Sequence, residues 1–367
     1  MTKMNPSVDS AESRQALSTI REWKQEAREE NNSRYFFFYD NVRGVEKGST
    51  CFVIGRKGTG KTAIGEHINK KVDYNSFVLN LSFKNFPFND LYALDDKHYR
   101  QPSEYITLWK YVIYSAVCKM MAQNETLDVK VTKKLQEFFD LDFERALSRT
   151  IQDLTEKGGS LKLFASGVSA KLTSITIDNQ TPWQERVEIL EKIILEFIDR
   201  SEYFILFDEL DEDYSQILSR GDKEQYLHLI VSLFKAVQDI RRVFRDRANI
   251  RPVVFLRDDI FELLSDSDKN KWTDNMLELK WDESLLKKLI AHRVSKAIRE
   301  DHSLLSFDDA WAAIISTSGV RHGRFGDRVR TPFFHMLRNT LMRPRDVVVY
   351  LRECARITDN LDSTRIN

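Results

Sequence analysis

The chain has 367 residues, enough for one large domain or two ordinary ones. Apolar residues make up 42% and aromatic residues 11%, a composition that excludes a disordered chain. The 56 basic and 56 acidic residues cancel, so net charge directs the protein to no polyanion and any basic surface is local.

The N-terminal stretch MTKMNPSVDSAESRQ has no apolar h-region, and no run approaches the roughly 18 apolar residues of a membrane span. A cytoplasmic protein with no membrane contact is expected. The cysteines, Cys51, Cys118 and Cys354, form no CxxC or Cys/His grouping and are expected to be buried reduced thiols rather than zinc ligands.

The first nine residues are expected to be disordered, and a charged helix with a thin apolar stripe is expected over Ser10 to Glu30. Five short apolar runs follow at wide intervals: Cys51–Ile54, Phe77–Leu81, Tyr203–Phe207, Pro252–Leu256 and Met276–Leu279. The middle runs are almost continuously apolar, as strands buried on both faces should be. Helical patterns lie between them. In PWQERVEILEKIILEFIDR, Val187, Leu190, Ile193, Ile194, Phe197 and Ile198 share one face, and Pro182 is placed to open the helix. EQYLHLIVSLFKAVQDIRRVF reads similarly. Strands alternating with helices predict a parallel α/β sheet with right-handed crossovers.

Two regions break this rhythm. Residues 82 to 180 are longer than a crossover requires and read as an insert. It contains helices over Ser103–Gln123 and Thr132–Thr155, then a small hairpin around residues 161–172. After Trp281 no strand signal remains, and a helical C-terminal domain is expected over residues 282–367. The resulting division is an N-terminal helical extension (1–34), an α/β core (35–281) and this C-terminal domain.

The first apolar run enters Gly55-Arg56-Lys57-Gly58-Thr59-Gly60-Lys61-Thr62, which fits G-x-x-x-x-G-K-[ST] between a strand and a helix. Glycines let the backbone curl so that successive N–H groups face phosphate, and the helix start adds its partial positive charge. Lys61 would bridge the β- and γ-phosphates, and Thr62 would place its hydroxyl on Mg²⁺. The third run, YFILFDELDED, ends in Asp208 and Glu209, where a buried parallel strand delivers ligands. Asp208 would hold Mg²⁺ through its water shell, and Glu209 would polarise a water for attack on the γ-phosphate. The acids after them, Asp211, Glu212 and Asp213, read as a solvated loop. A water-activating glutamate favours hydrolysis over transfer to a small acceptor.

RKGTGKTAI, LFDELDED, VVFLRDDIF and RPRDVVVYL together resemble a group of bacterial P-loop ATPases found with defence and mobile-element genes, similar to origin-recognition-type AAA+ and STAND ATPases. The resemblance covers most of residues 35 to 357. It implies a sheet order of 5-1-4-3-2, an α-helical C-terminal lid, and ATP hydrolysis with ATP and Mg²⁺ as cofactors. It also implies a polar sensor at the end of the fourth strand, where this chain has Arg257 and Asp258. Arg257 either touches the γ-phosphate or pairs with Asp258 or Asp259. LMRPRDVVVYL resembles the turn from which an arginine at the start of a lid helix reaches the nucleotide. Arg345 fits that role best and Arg343 second; the alternative is a solvated arginine pair capped by Asp346. An arginine finger for a neighbouring subunit would come from Arg241, Arg242, Arg245, Arg247 or Arg251.

Residues 319 to 345 carry seven arginines against a single acid, Asp327. Arg321, Arg324, Arg328 and Arg330 could track a nucleic-acid backbone. The same charge could instead grip an acidic partner subunit or the nucleotide itself. The function expected from the sequence is an ATP-hydrolysing P-loop ATPase that couples nucleotide state to assembly or partner remodelling in antiviral defence. It would act as a homo-oligomer with an effector protein as partner. The rivals are a nucleotide-gated signalling or scaffold switch with little turnover, and a P-loop kinase.

Overall fold

A computed structural model of the chain describes residues 10–71, 73–82, 103–139, 181–211, 214, 221–299, 303–316, 319–322, 328–360 and 363–366. The expected disorder of the first nine residues lies outside this set. So do the hairpin around 161–172, the helix from 140 to 155, and Glu212, Asp213 and Arg324.

The strands are β1 (Phe52–Ile54), β2 (Ser76–Ser82), β3 (Glu202–Asp208), β4 (Asn249–Leu256) and β5 (Met276–Glu278), followed by β6 (Val320–His322) and β7 (Arg328–Arg330). The principal helices of the first half are α1 (Ser10–Ile20), α2 (Lys61–Asn69), α3 (Ser103–Gln123), α4 (Val129–Phe138) and α5 (Trp183–Phe197). Those of the second half are α6 (Lys223–Phe244), α7 (Glu283–Ile298), α8 (Phe307–Ile314), α9 (Pro332–Asn339) and α10 (Pro344–Asn360). By packing, the chain divides into a sheet unit (Asp40–Ile54 and Ile68–Glu278) and a helical unit (Met1–Tyr39, Gly55–His67 and Leu279–Asn367).

In the sheet unit β1 to β5 form one all-parallel sheet in the order β5-β1-β4-β3-β2, the order the resemblance implies. Tyr203 to Phe207 are all fully buried, which is why that run needs no polar alternation. Phe207 is level with Val254, and Val254 with Phe52, so Asp208 sits at the height of Val53 with one strand between. β1, β3 and β4 therefore end along one edge of the sheet. The sheet is covered by α6, whose Phe234 stacks on Phe52 with ring centroids 4.1 Å apart. Trp109 of α3 donates its indole N–H to the Leu229 carbonyl at 2.9 Å, fixing α3 to α6. α5 begins at Pro182 as its N-cap and buries Val187, Leu190, Ile193 and Ile194. α4 starts at Val129, ahead of the expected Thr132, because the Asp128 carboxylate caps the Lys130 N–H.

In the helical unit α1 ends at Ile20, ten residues before the expected Glu30. Its buried stripe (Ala16, Leu17, Ile20) is continued only by Trp23, so the charged residues beyond have no apolar face to support further helix. α1 packs on α7, α8 and α10 around a core that includes Ile290, Val294, Ile314, Met336, Val347 and Leu351. Arg293 lies over the rings of Trp23 and Tyr35 and pairs with Glu30.

β6 and β7 correct the expectation of a purely helical C-terminal domain. They pair antiparallel with Val320 opposite Arg330, Arg321 opposite Val329 and His322 opposite Arg328. Two valines alternating with arginines in three-residue strands leave almost no apolar periodicity to read. Gly319 is required beside them, because a Cβ there would run into the Val329 side chain. Cys51 and Cys118 are buried as expected, but Cys354 is only half-buried. Among the described residues no helix is long and apolar enough to cross a membrane.

Candidate phosphate-binding loop and acidic strand end

The loop between β1 and α2 is shaped by two glycines with left-handed backbone, Gly58 (φ 88°) and Gly60 (φ 102°), which no β-carbon-bearing residue adopts cheaply. Gly55 is required for space, since a Cβ there would lie 2.7 Å from Thr59 Oγ1 and 2.9 Å from Leu279 Cβ. Thr59 donates its hydroxyl to the Arg56 carbonyl at 2.8 Å. Lys61, at the first position of α2, is buried, and its ammonium curls back to the Gly55 (2.7 Å) and Arg56 (3.1 Å) carbonyls. A fixed cation thus sits on the loop at the start of a helix, with Thr62 beside it in the first turn.

Within the helical unit, three successive carbonyls of this loop accept hydrogen bonds from residues of the C-terminal part of the chain. Lys57 O accepts from Arg343 Nη1 at 3.3 Å, Gly58 O from the Arg345 backbone N–H at 3.3 Å, and Thr59 O from Trp281 Nε1 at 2.9 Å. Arg345 stands in the first turn of α10, with its guanidinium on Glu26 at 3.1 Å; Arg343 pairs with Asp346 at 2.7 Å. Both arginines expected near a nucleotide therefore abut the loop, Arg343 through its guanidinium and Arg345 through its backbone N–H, and each guanidinium also pairs with a carboxylate. Trp281 as a partner of the loop and Glu26 as a partner of Arg345 were not legible in the sequence. They are distant in sequence and belong to no motif.

At the end of β3, Asp208 is buried and its Oδ1 accepts the Glu209 N–H at 2.9 Å. Glu209 has φ 62°, a left-handed conformation that costs a non-glycine residue about 1–2 kcal/mol and clusters at functional sites. Ser82 Oγ, at the end of β2 and directly opposite Asp208, donates to Glu209 Oε2. Ser82 is a site residue that the sequence did not single out. Its only signal is a polar residue ending an apolar strand.

Arg257 caps the short helix Asp258–Leu263 and pairs with Asp259 and, at 3.6 Å, with Asp211. Hydrogen bonding to Asp259 raises its pKa above the usual guanidinium value against the opposing effect of burial. Of the two readings open for Arg257, carboxylate pairing is what the fold displays, with Asp259 rather than Asp258 as the partner.

The arginines considered for a finger lie before β4 or, for Arg251, at its third residue, toward the opposite end of the strand from Leu256. Arg251 to Leu256 spans about 17 Å at the usual rise. Arg241 donates to the Gly48 carbonyl at 2.6 Å, Arg242 pairs with Asp239, and Arg251 pairs with Glu202 at 2.6 Å.

Fold and site together define an α/β protein with a five-stranded all-parallel sheet, a glycine-lysine loop after β1 and a helical C-terminal region. Within that region residues 284–367 match the family model described as the FunZ-associated C-terminal helical domain. The chain is also similar, at 24% identity over 334 residues, to an 80.3 kDa protein of Escherichia coli (strain K12) named for transposon gamma-delta. That alignment covers 84% of this chain and 42% of the relative, so the chain spans less than half of the relative's length.

Proposed function

We propose that this protein is a Mg²⁺-dependent ATPase of the P-loop type, working on a mobile element, which couples nucleotide state to assembly or to the remodelling of a partner. The observation that carries the reading is the loop itself. Two left-handed glycines and a buried lysine open α2, directly after a strand that ends on the same sheet edge as Asp208. Backbone N–H groups, the helix start and the Lys61 ammonium form a donor set suited to di- or triphosphate. Thr62 and Asp208 have the oxygen chemistry to hold Mg²⁺, which when bound neutralises charge on the phosphates. Glu209, oriented by Ser82, takes the proton from the attacking water.

The 5-1-4-3-2 sheet order supports the AAA+ comparison, and the transposon name of the relative supports a mobile-element setting. Titration of the full chain with a fluorescent ATP analogue and Mg²⁺ tests the first step. Saturable binding that Lys61→Ala abolishes is expected, and equal binding by both proteins contradicts it.

A further inference from the structure

The β6–β7 hairpin and the adjoining helix α9 carry a cluster of arginines that, among the described residues, lack counter-charges. Six other guanidinium groups of the C-terminal part of the helical unit are matched: Arg293 with Glu30, Arg299 with Glu12, Arg343 with Asp346, Arg345 with Glu26, and Arg352 and Arg356 with Glu353. Among the described residues, Arg321, Arg328, Arg330 and Arg338 have no carboxylate partner. The strand register places Arg328 and Arg330 on one face of the hairpin, with Arg321 and Val329 on the other. Desolvation and then the charges of Arg338 and Arg328 lower the pKa of Arg330 from the usual guanidinium value. Val329, between the two strand arginines, is 65% exposed.

Like charges gathered without counter-charges destabilise a fold, and this chain has as many acids as bases with which to neutralise them. A surface that forgoes neutralisation within the fold suits an external polyanion. We infer that the β6–β7 hairpin, with Arg328 and Arg330 on its strand and Arg338 on α9, is a nucleic-acid contact surface that grips the phosphate backbone without reading bases. Guanidinium groups suit phosphate oxygens, and a short ribbon with alternating arginines reaches a backbone without burying its own polar groups. An acidic protein would supply carboxylates at fixed positions, whereas the two unpaired arginines at alternate positions of β7 suit a repeating backbone charge.

Among the described residues none of Arg321, Arg328, Arg330 and Arg338 hydrogen-bonds the glycine-lysine loop, so contact is measured on the full chain without nucleotide. Binding of a mixed-sequence DNA duplex and of an RNA duplex is followed by fluorescence anisotropy across a salt series. Wild-type protein is expected to bind at low salt whatever the sequence, and the two arms show which backbone it prefers. The Arg328→Gln/Arg330→Gln variant should bind more weakly and lower the salt slope by about 2, one unit per lost contact. Arg328→Lys/Arg330→Lys should keep most of the slope, and Arg356→Gln, at a neutralised surface position, should leave it unchanged. An unchanged melting temperature shows that the glutamine variant is folded. Absence of wild-type binding to either duplex at low salt overturns the inference. An unchanged slope in the folded glutamine variant also overturns it, as does equally effective competition by polyglutamate.

Discussion

Ser82 and Glu209, 127 positions apart in sequence, are joined by a hydrogen bond from the serine hydroxyl to the glutamate carboxylate. Parallel pairing of β2 with β3 makes this contact, because it places Ser82 directly across from Asp208, the residue before Glu209. The left-handed backbone at Glu209 turns the chain sharply out of β3. The glutamate is therefore held at both ends, by its backbone turn and by its carboxylate.

Ser82→Ala is expected to slow ATP turnover while leaving ATP affinity unchanged. A hydrogen bond to a charged group contributes about 1.5–3 kcal/mol, so a roughly tenfold or larger fall in kcat follows if the bond orients the base. Steady-state phosphate release and ATP-analogue titration on the same variant measure both quantities. A weakened affinity with normal kcat would assign Ser82 to binding instead.

Arg345→Ala should also reduce hydrolysis without loosening the loop. The contact to Gly58 uses the backbone N–H of Arg345, which alanine retains. The lost ion pair with Glu26 is partly exposed and should cost no more than about 1 kcal/mol. Chemical denaturation near that limit, together with reduced phosphate release, is the expected pair of results.

Phe234→Ala should destabilise the protein by about 3–5 kcal/mol. The ring is fully buried, stacks on Phe52 of β1 and lies 4.9 Å from the Trp272 ring. Because Phe52 begins the strand that leads into the glycine-lysine loop, phosphate-analogue binding should weaken in parallel. Urea denaturation reads the first effect.

The stability of the sheet unit should fall in acid through Asp199. Burial opposes ionisation of this carboxyl, but hydrogen bonds from Ser201, Thr126, Asn124 and Tyr203 outweigh it and bring its pKa down to about 2. A depressed folded-state pKa means stability that is fully present above the unfolded value near 3.9. It is lost as pH falls from about 4 toward 2. Asp199→Asn should accordingly be less stable than wild type at neutral pH, with the gap closing over that acid range. A gap independent of pH between 7 and 2 would contradict the linkage.

Much of the sheet was readable because each strand is a short apolar run, and in the central strands burial on both faces removes the ambiguity of alternation. Ser76–Ser82 and Glu202–Asp208 each extend the expected run by a residue at either end. Helix ends were less legible. α1 stops where its apolar stripe stops, while propensity alone would carry it through the charged residues to Glu30. The β6–β7 hairpin was hidden because arginine-rich three-residue strands have no apolar face. At the candidate site the glycines, Lys61, Asp208 and Glu209 were visible as local motifs. Ser82, Trp281 and Glu26 were invisible because their roles arise only from parallel pairing or helix packing. The pairing of Arg257 was not readable, because it depends on where Asp211 and Asp259 lie in the fold.

Single-turnover hydrolysis of radiolabelled ATP by Glu209→Gln, beside wild type and Lys61→Ala, tests the central claim most directly. Glu209→Gln is expected to bind ATP with Mg²⁺ as wild type does, yet to lose hydrolysis by about 10²-fold or more, the usual contribution of a general base. Lys61→Ala should fail already at binding. Wild-type rates of hydrolysis in Glu209→Gln would contradict the account.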